Sequence, residues 1–246
     1  MKAVIAALLL AALPALAEPP ATNDTAAGQA LARQIRSAVP EERSDLHAAL
    51  IVRAGGQTRT VPASCRVAVH DDTWETDYQT AAATNAGAER LVVIHRANGA
   101  NTYRYARAPA AAAPLPEPAG ISAAQAAGTS LAGSDFSLAD LGLEFLHWPQ
   151  QRQLKGEMRL GQPCYVLESR DPEAEGITRV KSYIDKESNG LLIAEGYDAE
   201  GHLIKRFSLH GSSFKKVNGH YQLEKMDIRN LRNHSQTELK YDMEEK

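Results

Sequence analysis

The chain is poor in cysteine. Cys65 and Cys164 are the only two in 246 residues, and they sit in neither a C-x-x-C pair nor a metal-ligand spacing. That excludes a dithiol redox motif and a cysteine-built metal centre. Aromatic residues are sparse at 6%. An excess of positive charge is also missing: the net charge is −3 and the isoelectric point about 6.2, which argues against a nucleic-acid binder. H-E-x-x-H, G-x-G-x-x-G and the P-loop pattern do not occur. "GTSLAG" departs from the G-x-S-x-G elbow at Ala132 and reads as a loop. His70-Asp71-Asp72 reads as a solvated turn, Lys215-Lys216 as a solvated edge strand, and the other histidines are scattered singly. No catalytic constellation emerges, so the reading is of a protein that is not an enzyme and uses no cofactor. After Glu18 no run is long and apolar enough to cross a bilayer.

The first residues supply what the rest lacks. "MKAVIAALLLAALPALAEPP" has a positive Lys2, an apolar run from Ala3 to Leu13, a break at Pro14 and the small-residue site Ala15-Leu16-Ala17. This predicts a signal peptide over 1–17, cleaved after Ala17. The apolar run is too short for a comfortable membrane span. No cysteine follows it, so a lipid anchor is not expected. The expected compartment is the periplasm. In that oxidising space Cys65 and Cys164 either pair as a disulfide or remain two buried thiols.

Apolar periodicity then gives the elements. Leu31, Ile35 and Val39 fall at helical spacing before Pro40, predicting an amphipathic N-terminal helix. Cys65, Val67 and Val69 alternate with Arg66, Ala68 and His70, the period of a strand with one buried face. "RLVVIHR" and "NTYRYAR", joined across Asn98-Gly99, predict a hairpin. From 106 to 120, "ARAPAAAAPLPEPAG" is too rich in proline for a central strand or regular helix, and reads as a linker or loop. "ISAAQAAG" gives one or two weak helical turns. From Arg152 onward, strand-like runs separated by Gly-containing turns predict an antiparallel meander. "CYVLES" and "LLIAEG" are apolar on both faces, so one face packs inward and the other needs a cover. Alternate residues of these runs, of "RLVVIHR" and of "HLIKRFSL" are expected to wall an apolar interior.

"GSDFSLADLGLEFLHWPQ" stands apart from the strands. Ser137-Leu138-Ala139-Asp140 matches a capping box. Leu138, Leu141 and Phe145 lie on one helical face, Leu146 and Trp148 widen the stripe, and Pro149 ends it. A helix over about 134–148 is predicted as a lid on the flexible 106–120 tether. Phe136, Leu138, Leu141, Phe145, Leu146 and Trp148 are the expected ligand-contacting residues.

An exported chain with an antiparallel sheet, an apolar interior and no catalytic set suggests carriage of something apolar. "SDFSLADL", "GQPCYVLES", "RVKSYIDKESNGLLIAEGYDAEGHLIKRF" and "YQLEKMDIRNLRNHSQTEL" resemble the outer membrane lipoprotein-sorting family, LolA/LolB-like periplasmic carriers, over about Ser134 to Met243. The resemblance implies a mainly β (α+β) fold over 18–246. This is a strongly curved antiparallel sheet, an incomplete half-barrel whose apolar concave face is covered by helices. It implies acyl chains of lipoproteins or other lipids as ligand, and an inner-membrane exporter of the RND/MMPL type as partner. The missing lipidated cysteine favours a shuttle over an anchored receptor. A lipid-sensing regulatory domain of the same architecture, acting in envelope-stress signalling, is the second reading.

Overall fold

The computed structural model describes residues 24–40, 44–70, 73–82, 87–96, 98–209, 213–217 and 220–242. The expected signal peptide at 1–17 and its cleavage site lie outside them, as do Asp71 and Asp72.

Alternation becomes strands. β1 (Ser44–Ala54), β2 (Gln57–Val69), β3 (Thr73–Thr80), β4 (Glu89–Arg96) and β5 (Thr102–Arg107) follow one another as antiparallel neighbours. β6 (Ala119–Ile121) adds a short edge to β5. A second antiparallel run comprises β7 (Gln150–Arg159), β8 (Gln162–Arg170), β9 (Arg179–Asp185), β10 (Leu191–Tyr197) and β11 (Leu203–Ser208). β12 (Phe214–Val217) and β13 (His220–Leu223) form a separate hairpin. β14 (Lys225–Asn230) and β15 (Ser235–Tyr241) join the two runs, since β14 pairs with β11 and β15 with β1. The result is one 13-stranded sheet in the order β6-β5-β4-β3-β2-β1-β15-β14-β11-β10-β9-β8-β7.

With β6 and β7 as free edges the sheet is not closed, yet it curls. Side chains from β5 at one side and β14 at the other meet in one buried cluster around Leu131, Phe136, Leu138 and Leu141. In a flat sheet those two strands would stand about 29 Å apart, at ~4.8 Å per neighbour. Register shifts at Leu154/Glu157 in β7 and Gly196/Tyr197 in β10 add local bend. The predicted mainly β half-barrel is the observed architecture. Among the described residues no helix is long and apolar enough to cross a membrane.

Helices cover the concave face. α1 (Thr25–Arg36) starts at Asp24, whose carboxylate accepts from the Ala26 and Ala27 amides. It lays Leu31, Ala32 and Ile35 on Leu167, Val180 and Ile184. Gly28 makes that approach possible, because a Cβ there would come within 2.5 Å of the Arg152 backbone. Val39, expected on the same stripe, is instead 41% exposed. The helix has already ended at Arg36, and a residue before proline resists the helical conformation.

The stretch expected as one helix over 134–148 is broken in two. α2 (Ala123–Gly128) precedes it. α3 (Leu138–Leu141) carries the anticipated capping box: Ser137 Oγ accepts from the Asp140 amide and the Asp140 carboxylate from the Ser137 amide. Then Leu143 turns into the left-handed region at φ 49°, and a 3₁₀ turn follows at Glu144–His147. The cause is local. Asn101 Nδ2 donates to the Gly142 carbonyl at 2.8 Å, taking the acceptor a continuing helix would use. A Cβ at residue 142 would lie 2.1 Å from Tyr103 Oη. The apolar stripe therefore divides: Leu138 and Leu141 join the first cluster, Phe145 and Leu146 the one under α1.

One boundary moves, and of the two alternatives for the cysteines the structure has the buried thiols. The proline-rich loop is 108–118, because Ala106 and Arg107 finish β5 while Ala119 and Gly120 begin β6. Cys65 and Cys164 are both buried free thiols, so no disulfide forms. Cys65 packs in the first concave cluster, whereas Cys164 shares a separate cluster with Val166 and Tyr183. Leu167, on the opposite parity of the same strand, meets α1. The cysteines thus lie on opposite faces of the sheet, out of reach of an S–S bond. The outer face of β8 and β9 is covered by long charged side chains rather than a helix. Arg159 lies over the Tyr183 ring at 4.4 Å, and Lys181 pairs with Glu157 at 2.7 Å.

Candidate functional site

The covers do not fill the half-barrel. A cavity of about 580 Å³ remains between α2, α3, the 3₁₀ turn and the concave faces of β9, β10, β11 and β14. Small-molecule sites commonly measure ~300–1,000 Å³. Apart from Lys205, the sheet side is apolar: Val180, Ala194, Gly196, Phe207 and Ile228. Facing it are Ala123, Ala124 and Ala127 of α2, then Leu143, Phe145 and Trp148. The 171–177 loop completes the rim, with Glu173 and Glu175 exposed and Ile177 turned inward.

Short side chains leave this space open. Alanine in α2 and in β10 projects too little to meet across the gap. Gly196 lets Ile177 sit on the strand itself, since a Cβ would lie 2.9 Å from Ile177 Cδ1. Lys205, Asp140 and Glu144, which border the cavity, are tied down. Lys205 Nζ meets Asp140 Oδ2 at 2.7 Å, the same carboxylate that caps α3. Glu144 accepts from Tyr103 Oη at 2.8 Å and Asn101 Nδ2 at 3.2 Å, and burial pushes its carboxyl above the usual range.

Of the residues singled out in the sequence, Phe145 and Trp148 line this cavity. Phe136, Leu138, Leu141 and Leu146 are packed into the clusters on either side. Of the four strand runs, "LLIAEG" contributes Ala194 and Gly196 and "HLIKRFSL" contributes Lys205 and Phe207. Leu91 and Val93 of "RLVVIHR", and Leu167 of "CYVLES", are spent in core packing. The wall provided by α2 and the 171–177 loop was not anticipated. Ser122-x-x-Gln125, a reciprocal capping box in the structure, was the sequence signal for α2.

The segment Gly142–Trp148 is pinned through its carbonyls. Asn101 holds Gly142, Arg36 donates to Leu146 at 3.0 Å, and Gln151 donates to Phe145 at 2.9 Å and Trp148 at 3.0 Å. α2 has one buried residue, Ala126.

Comparison with known proteins places this geometry. A family model described as "-like: Uncharacterized protein" matches residues 80–245, more than half of the chain. No curated protein sequence matches. Among solved structures, a DUF1329 family protein from Desulfovibrio piger is similar at 17% identity and a TM-score of 0.67, covering 90% of this chain and 92% of that one. An outer membrane lipoprotein-sorting protein domain from Vibrio parahaemolyticus is similar at 21% identity and a TM-score of 0.68, covering 89% and 92%. A LolA superfamily protein from Nitrosomonas europaea is similar at 14% identity and a TM-score of 0.50, covering 91% and 93%. The chain belongs to the family that the matching model describes, and its fold is that of the outer membrane lipoprotein-sorting, LolA superfamily proteins.

Proposed function

We propose that this protein is a periplasmic carrier that holds acyl chains of lipoproteins or other lipids in the cavity beneath α2. The observation that carries the reading is a void of about 580 Å³ with apolar walls on the concave face of the half-barrel. An acyl chain in water costs about 0.8 kcal/mol per methylene, so moving one across an aqueous compartment needs such a shelter. Phe145 and Trp148 would contact the chain on one side, Phe207 and Ile228 on the other. The leader over 1–17 supports export, and the sequence resemblance supports an RND/MMPL-type exporter as the partner at the inner membrane.

The test is to isolate the protein gently from the periplasm and identify bound molecules by mass spectrometry. Co-purified lipid is the expected result. Ala124 is an exposed residue on the cavity wall. Ala124→Phe should therefore lower the bound lipid without lowering the melting temperature. Protein that emerges empty, and takes up no lipid when it is added, contradicts the reading.

A further inference from the structure

A second cavity lies on the other side of Ser137. It measures about 290 Å³ and its wall is polar, with Ser130, Ser134, Asp135, Asn230, Asn233 and Ser235 among its residues. It shares Ala127, Gly128, Ser137 and Lys205 with the apolar cavity, so the two voids adjoin across α2 and the start of α3. The S-D-F-S motif builds the junction. Phe136 enters the core and Ser137 caps α3, while Ser134 and Asp135 face the polar void.

Asp135 is the unusual member. It is 9% exposed. Its carboxylate receives Thr237 Oγ1 at 2.8 Å and Ser235 Oγ at shorter range, and no cation pairs with it among the described residues. Buried carboxylates are ordinarily paired with a charge, because neutral donors offset only part of the lost hydration. A carboxylate offers about four acceptor positions, and two hydroxyls leave the others free. Lys205, the cation among the described residues of the wall, is paired with Asp140.

We propose that the polar cavity is the head-group half of a single amphiphile site. It takes a head that donates hydrogen bonds and bears no negative charge, while the tail lies in the apolar cavity. This assignment rests on the acyl-chain reading and adds the class of head. Hydroxyl or amide protons of the head would fill the open positions on Asp135. An anionic head would meet an unpaired buried carboxylate and be rejected.

Two amphiphiles with the same twelve-carbon tail decide the matter: monolauroylglycerol, with a hydroxyl head, and dodecyl phosphate, with an anionic one. Their binding is measured calorimetrically on the full chain, below the micelle threshold. Monolauroylglycerol should bind about tenfold tighter, the scale of a hydrogen bond to a charged acceptor. Asp135→Asn should erase most of that preference. This substitution can be accommodated, because the new amide can donate to Ser235 Oγ, whose own proton can go to Asn233 Oδ1 at 2.6 Å. Ser130 is exposed and makes no side-chain cap, so Ser130→Lys is a second variant that leaves the core alone. It should strengthen dodecyl phosphate relative to monolauroylglycerol. Equal binding of both amphiphiles to the unaltered protein, or a preference untouched by either variant, overturns the head-group site while the acyl-chain reading stands. Failure of both amphiphiles to bind removes both.

Discussion

His95 shows how a single buried side chain shapes the behaviour of the fold. Its ring stacks on Trp74 with centroids 3.7 Å apart, and Nε2 lies 3.2 Å from Thr76 Oγ1. Burial first, and His147 second, push its pKa from 6.5 down to about 3. Above pH 6.5 the ring is neutral in both the folded and unfolded chain, so it contributes no pH dependence. As pH falls from 6.5 towards 3, only the unfolded chain takes up the proton, and folding stability drops. The slope approaches ~1.4 kcal/mol per pH unit for this one group. His147, held down to about 4 by burial and Arg36, adds in the same direction. Urea unfolding at pH 7 and pH 5 should show the loss, and His95→Gln should reduce it, leaving the share of His147. An unchanged pH dependence in that variant would mean that other groups govern the acid limb. The cysteines are the opposite case. Burial raises both thiols, Cys65 to about 12, which keeps them protonated and inert.

At the scale of elements, what could be read from the sequence was local and periodic. The capping box at Ser137, the Asn98-Gly99 hairpin and the parity of Cys65, Val67 and Val69 all depend on residues within a few positions of one another. The break at Gly142 depends on Asn101 and Tyr103, forty residues earlier in the chain, and the glycine in "LADLGLEFLHW" is its local sign. The same holds for the cysteines, whose separation onto two faces follows from the strand parity of β8 against a helix near the N-terminus. It also redirects the idea of a moving lid. Leu138 to Leu146 buries Leu138, Leu141, Phe145 and Leu146 and is pinned through the carbonyls of Gly142, Phe145 and Leu146, while Ala126 is the one buried residue of α2. Amide exchange should accordingly be slow across Leu138–Leu146 and much faster across Ala123–Gly128, with α2 slowing when lipid is added. Fast exchange in the Leu138–Leu146 segment would restore it as the mobile cover.

At the scale of the molecule, two covers on one curled sheet explain why a cavity exists at all. The Leu131–Leu141 segment plugs the half built from β1 to β5, β14 and β15, and α1 with Phe145 and Leu146 plugs the half built from β8 to β10. Between the plugs the alanines of α2, Ala194 and Gly196 are too short to close the gap, and the space stays open. The central claim is that an acyl chain occupies that space. Trp148 lines it, and the other tryptophan, Trp74, is buried in the first cluster. In a Trp74→Phe background Trp148 therefore reports alone. The most direct measurement is its fluorescence during titration with a monostearoylglycerol brominated in mid-chain, since bromine quenches an indole it touches. Saturable quenching is expected, weakened by Ala124→Phe and reversed by the unbrominated lipid. Emission that stays unchanged while binding of the same lipid is seen by calorimetry would place the chain elsewhere and contradict an acyl site at Trp148.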